Sequence, residues 1–198
     1  MQQYSAAFTS EWLLQNEMRI FLRLEREGKS PVEIRAQVIE ENLFRMKRQS
    51  TIIAALKIIN RRLRFLDPVL RRIFLENQRH DRLAVLLYSF LRSYRLPREF
   101  VLEILRHHWL NHKNRLPAGE VVSFFEYKGE QSQIVADWSP ETKKKLRQVM
   151  LRFLTECGLL QPQNDHWLIT PILLGVDLRA FVDTEPRYND FTALMLNA

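Results

Sequence analysis

The sequence predicts a mainly α-helical protein in two parts. Residues 1–115 form an N-terminal helical bundle, and residues 116–198 form a winged-helix-like C-terminal unit with a small β-hairpin. Three observations lead there. Six segments with helical apolar spacing follow one another through the first 112 residues, joined by short polar links. Ser139 to Leu154 reads as a strongly basic helix with one apolar stripe, and Gly158 then gives way to two short extended runs. Only 5 glycines occur in 198 residues, so helix-compatible sequence dominates.

Taken in order, Phe8 to Glu27 has Trp12, Leu13, Phe21, Leu22 and Leu24 at helical spacing, Thr9 or Ser10 able to cap it, and Gly28 to end it. Ser30-Pro31-Val32-Glu33 is a capping box, in which Glu33 can reach back to the Ser30 amide. Ile34, Val38 and Ile39 form the apolar face of that second helix. Leu43-Phe44 then anchors the next connection.

Ser50-Thr51 opens a third helix whose Ile52, Leu56, Ile59, Leu63 and Leu66 face inward. Lys57, Arg61 and Arg64 line its opposite face, and Arg45, Lys47 and Arg48 precede it. Asp67-Pro68 pairs an N-cap with a first-turn proline and starts a fourth helix. A sharp bend is required there, because proline disfavours helical geometry at the residue before it. Asp81 is placed to cap a fifth helix to Tyr94, and Pro97 begins a sixth to about His112. Lys113 to Pro117 marks the expected domain boundary.

Pro117 to Phe125 is the next helical segment. A connection from Lys128 to Trp138 leads to the helix capped by Ser139, with Pro140 at its first position. Leu146, Val149, Met150, Phe153 and Cys157 define its buried face, while Lys144, Lys145, Gln148 and Arg152 fall on the other side. Leu159 to Pro162, a Gln163-Asn164-Asp165 turn and His166 to Thr170 form the hairpin. A basic helix followed directly by a hairpin is the order of a winged helix-turn-helix. The Lys128–Trp138 connection is longer than the usual turn of that motif. Phe181, Phe191 and Leu194 are expected to dock the tail.

Composition limits the function classes. Hydrophobic residues make up 46%, which supports a packed core and excludes a disordered chain. The longest strongly apolar run, Leu83 to Leu91, is too short to span a membrane, and the N-terminus lacks a signal-peptide pattern. A single cysteine, Cys157, fits a reducing compartment, and a cytoplasmic location is expected. Formal net charge is +7, unevenly spread: residues 45–82 carry 11 Lys+Arg against 3 Asp+Glu, whereas residues 117–198 carry 8 against 11. A polyanionic partner follows from the basic middle of the chain.

No catalytic or cofactor signature emerges. Neither GxxxxGK[ST] nor GxGxxG is present. His107, His108 and His112 are the best metal-ligand candidates, but Trp109 stands where a zincin motif needs glutamate, and no metal is expected. Glu141-Thr142-Lys143 with Asp137 has the spacing of half a nuclease site, yet it opens a helix instead of lying on strands. Cys157 sits on an apolar stripe, which raises a thiol pKa and argues against a nucleophile.

Several stretches together resemble the BrxA component of BREX, or bacteriophage-exclusion, systems. They are Tyr4 to Thr9, Glu27-Gly28-Lys29-Ser30, Asn42-Leu43-Phe44, Ser50-Thr51, Arg61-Arg62-Leu63, Asp137 to Thr142 and Leu154 to Leu160. The resemblance covers most of the chain and rests on helical patterns. It implies a cytoplasmic, mostly helical protein with a winged-helix-like element and affinity for double-stranded DNA. It also implies a multi-protein defence system whose methyltransferase and ATPases are other chains, and it brings no catalytic residues. Likeness of that family to NusB-type antitermination factors implies RNA binding as the alternative.

The expected activity is therefore non-enzymatic, largely sequence-nonspecific binding of double-stranded DNA, with other BREX proteins as further partners. No membrane or small-molecule substrate is expected. Lys144, Lys145, Gln148 and Arg152 would meet the groove, with Arg45, Lys47, Arg48, Lys57, Arg61 and Arg64 on phosphates. A scaffold that docks acidic proteins is the remaining reading.

Overall fold

The computed structural model describes residues 3–197 and is mainly helical, with one small antiparallel sheet. The helices are α1 (Gln15–Arg26), α2 (Pro31–Glu40), α3 (Gln49–Leu63), α4 (Pro68–Glu76), α5 (Arg79–Ser93), α6 (Arg95–Phe100) and α7 (Arg106–Leu110). A π-helical turn, Val101–Leu105, joins α6 to α7. Strand β1 (Arg115–Pro117) comes next, then α8 (Ala118–Gln131), α9 (Gln133–Ala136), α10 (Pro140–Glu156), β2 (Leu160–Pro162) and β3 (His166–Ile169). The short helices α11 (Val176–Thr184) and α12 (Phe191–Leu194) end the described chain.

Much of the local reading holds. The Ser30 hydroxyl accepts from the Glu33 amide while the Glu33 carboxylate accepts from the Ser30 amide, completing the capping box. Asp67 Oδ1 accepts from the Leu70 amide at 2.9 Å, and the Ser139 hydroxyl accepts from the Thr142 amide at 3.2 Å. Such caps contribute about 1 kcal/mol each. Ile52, Leu56, Ile59, Leu63 and Leu66 are all buried, as are Leu146, Val149, Met150 and Phe153.

Four elements differ from expectation. The segment Phe8 to Glu27 is not one helix: a 3-10 turn at Ala7–Ser10 is separated from α1 by an irregular stretch that ends at Leu14, φ 54°. The reason is Glu11, which is only 1% exposed and turns inward to meet Arg62. The carbonyls of Trp12 and Leu13 also accept from Arg62, so they are satisfied without a helix.

Asp81 does not cap α5, which begins at Arg79. Its carboxylate is buried and accepts instead from the Gly175 amide at 2.7 Å and the Asn77 side chain at 2.8 Å. The sixth helix starts at Arg95, two residues before Pro97, and contains the π turn. Finally, most of the Lys128–Trp138 connection is helical, because α8 runs on to Gln131 and α9 follows after Ser132.

The sheet has order β1-β3-β2, antiparallel throughout. Leu116 faces Trp167 across one pairing, and Leu160 faces Ile169 across the other. Leu116, in the stretch read as a boundary, is fully buried. Residues from both sides of it share one core: Phe90 of α5 stacks on Phe153 of α10 at 4.1 Å, and Tyr88 stacks on Phe191 of α12 at 4.5 Å. Tail docking follows the sequence expectation, with Phe191 and Leu194 buried and Phe181 half-buried against Tyr188.

Candidate nucleic-acid interface

Helix α10 presents a divided set of cations. Lys144, Lys145 and Gln148 lie on the arc opposite the buried stripe and reach solvent. Lys143 and Arg147 are turned away from it. The Lys143 ammonium donates to the Ala136 carbonyl at 3.1 Å, and the Arg147 guanidinium lies 5.7 Å from the Phe125 ring centre. Glu141 sits one turn before the lysines, and hydrogen bonds from its own backbone N–H and from Ser139 hold its carboxyl below the usual range.

The α3 surface is built by the same periodicity. Lys57 and Arg64 are exposed, as are Arg45, Lys47 and Arg48 in the approach to the helix. Among the described residues none of these five makes an ion pair. Lys57 and Arg64 also line a cleft of about 590 Å3 between α1, α2 and α3, together with Arg35 and Asn60. Arg35 belongs to this basic surface but lies in a segment of net negative charge, so regional counting hides it.

Two of the ten expected contact residues are not free. Arg61 Nη1 donates to Glu11 Oε1 at 3.1 Å and to the Tyr94 hydroxyl, and its guanidinium is 5.4 Å from the Tyr94 ring centre. Arg152 Nη2 donates to the Glu11 carbonyl at 2.5 Å and its Nε is 3.9 Å from Glu156. Both remain partly exposed, with side-chain exposures of 36% for Arg61 and 44% for Arg152. Arginine carries five N–H donors, so each can bind an anion while keeping its internal partners.

Glu11 is therefore a meeting point that sequence reasoning missed. Its carboxylate accepts from Arg62 at 2.5 Å, from Arg61 at 3.1 Å and from the Tyr94 hydroxyl at 2.5 Å. Arg62 is wholly buried, and its guanidinium lies 5.0 Å from the Phe153 ring centre. Burial together with the Glu11 carboxylate pushes the Tyr94 hydroxyl above the ordinary phenol range. A signal for Arg62 existed: at 100° per residue it falls among Ala55, Ile58 and Ile59, inside the apolar arc of α3.

The other chemical candidates come apart. His108 Nε2 lies 2.6 Å from Glu120, and among the described residues no three His, Cys, Asp or Glu side chains converge as a metal would need. Cys157 is buried, and desolvation pushes its thiol well above the ordinary range. Glu141 and Thr142 open α10, as expected. No described helix is long and apolar enough to cross a membrane.

Comparison with known proteins gives these arrangements a family. The chain has 18% identity and a TM-score of 0.77 to a crystal structure of an uncharacterized protein from Magnetospirillum magneticum, covering 99% of both chains, which establishes the shared fold. It is 31% identical over 177 residues to the BREX protein BrxA of Bacillus cereus (strain H3081.97), covering 89% of this chain and 88% of that protein. The family model described as BrxA matches residues 2–185. The chain thus belongs to the BrxA family of the BREX anti-phage system.

Proposed function

We propose that this protein is a non-enzymatic, double-stranded-DNA-binding accessory factor of BREX defence. The observation that carries the reading is the convergence on residue 11. Arg61, from the α3 row, and Arg152, from the α10 face, both hydrogen-bond to that one residue. Two basic surfaces far apart in sequence thereby adjoin, with Lys57 and Arg64 leading away along α3 and Gln148 and Lys144 leading away along α10. At 1.5 Å per residue, Lys144 to Arg152 spans about 12 Å and Lys57 to Arg64 about 10 Å. Each row is long enough to follow several successive phosphates of one strand, at most about 7 Å apart.

The order β1–α8–α9–α10–β2–β3 supports a winged-helix reading in which α10 enters the major groove. The hairpin contributes little charge to that contact. Residues 159–170 contain no Lys or Arg, and the tip carries Asp165. Affinity comes from the arginines and lysines on the helices, which bind phosphates without reading sequence.

Fluorescence anisotropy with matched duplex DNA, single-stranded DNA and hairpin RNA tests the reading. Tightest binding to the duplex is expected. Preference for the RNA would replace it with an antitermination-like role, and absence of binding to all three near physiological salt would leave the basic surface as a protein-docking site.

A further inference from the structure

A second surface has the opposite character. Residues 116–142 carry five carboxylates and one lysine on a chain of net charge +7. That lysine, Lys128, is only 3% exposed and its ammonium lies 2.8 Å from Glu99 and 2.7 Å from Glu103. It is neutralised inside the protein, so the exposed charges contributed by this stretch itself are all acidic.

On this face the π turn Val101–Leu105 and α8 enclose a groove of about 360 Å3, lined by Glu103, Ile104, Glu120, Ser123, Phe124 and Tyr127. Its floor is apolar and its two carboxylates stand on different elements. Glu103 meets Lys128 and Glu120 meets His108 through one oxygen each, while their side chains stay 43% and 40% exposed. Tyr127 is 53% exposed, which leaves its ring open to a ligand. A π turn inserts one residue into a helix and commonly marks a functional position. Here it keeps Glu103 both in reach of Lys128 and on the groove wall.

We propose that this groove binds an arginine side chain presented by a basic segment of a partner protein. An apolar floor takes the aliphatic stem, a tyrosine face takes the planar guanidinium, and carboxylates on either side accept its N–H groups. Arginine fits better than lysine, because a planar fork can stack and pair at once. The groove carboxylates disfavour a phosphate, so the groove and the basic surface suit different partners and the proposal does not depend on DNA binding.

The test uses a fluorescein-labelled peptide of alternating Arg and Ser, with Lys/Ser and Glu/Ser versions beside it, titrated with the full chain near physiological salt. One variant, Glu120→Gln with Tyr127→Ala, removes one groove charge and the ring, keeps an amide oxygen within reach of His108, and leaves the buried Lys128 pairs intact. A second, Glu126→Gln with Glu130→Gln, removes two exposed charges on the same helix. Circular dichroism confirms that both are folded. The proposal predicts that the Arg/Ser peptide binds several-fold more tightly than the Lys/Ser one. It also predicts about a tenfold weakening in the groove variant and less than about a twofold weakening in the other. Equal weakening in both variants would reduce the effect to unspecific charge and overturn the groove assignment. No binding of the Arg/Ser peptide, or equal binding of Lys/Ser, would overturn it as well.

Discussion

Replacing Glu11 by alanine should be among the most damaging single changes in this protein. The substitution removes the carboxylate partner of Arg62, a residue with no exposed surface, and the acceptor of the Tyr94 hydroxyl. A buried arginine cannot shed its proton and retains only the carbonyls of Trp12 and Leu13. Breaking one side of a buried pair costs about 3–5 kcal/mol, because the remaining charge is left uncompensated. Since the two carbonyls persist here, the lower part of that range is expected, about 3 kcal/mol. Native stabilities are about 5–15 kcal/mol, so this is a substantial share, and for a chain of this size it lowers Tm by about 6–12 °C.

Urea denaturation of Glu11→Ala, Arg62→Met and the double variant measures the effect. Removing both charges should cost less than the sum of the single changes, because the double variant leaves no ion stranded. A destabilisation under about 1 kcal/mol in Glu11→Ala, or strict additivity in the cycle, would refute the role assigned to this pair.

Further predictions follow from other parts of the fold. A Cβ built on Gly175 would lie 2.6 Å from Asp81 Oδ2, so Gly175→Ala should destabilise by about 1–3 kcal/mol, read as a lower urea midpoint, even though its φ is −63°. Cys157 should resist a thiol-reactive disulfide reagent in the folded protein and react once urea unfolds it, since burial raises its thiol pKa. The Glu33 carboxyl is held below its ordinary value by hydrogen bonds from the Ser30 hydroxyl and amide. Its contribution is therefore complete at neutral pH and disappears as pH falls through the lowered folded value. The stability gap between wild type and Ser30→Ala, followed by urea midpoints at decreasing pH, should narrow in acid.

What could be read from the sequence was local. The caps at Ser30 and Ser139, the Asp67-Pro68 break and the apolar stripes of α3 and α10 each depend on neighbours within a few residues, and the structure has them in place. What could not be read depended on distant partners. The break before α1 exists because Arg62, 51 residues away, draws Glu11 inward. Asp81 looked like a cap and instead anchors Gly175, 94 residues away.

The same division runs through the candidate interface. Helical phase identified Lys57, Arg64, Lys144, Lys145 and Gln148 as outward-facing, and all of them reach solvent. It could not reveal that Arg61 and Arg152 share residue 11, because that meeting joins segments at three places in the chain. Nor could it place Lys143 and Arg147, whose direction is set by α8 and α9.

The most direct test of DNA binding by the α10 and α3 surfaces is the salt dependence of duplex affinity, measured by fluorescence anisotropy for wild type and for Lys144→Glu with Lys145→Glu. Abolishing one lysine–phosphate interaction lowers the slope of log K against log salt by about 0.9. Removing both lysines should therefore reduce it by about 1.8, while circular dichroism remains unchanged. An unchanged affinity and slope in the folded variant would contradict the assignment of α10 to the duplex.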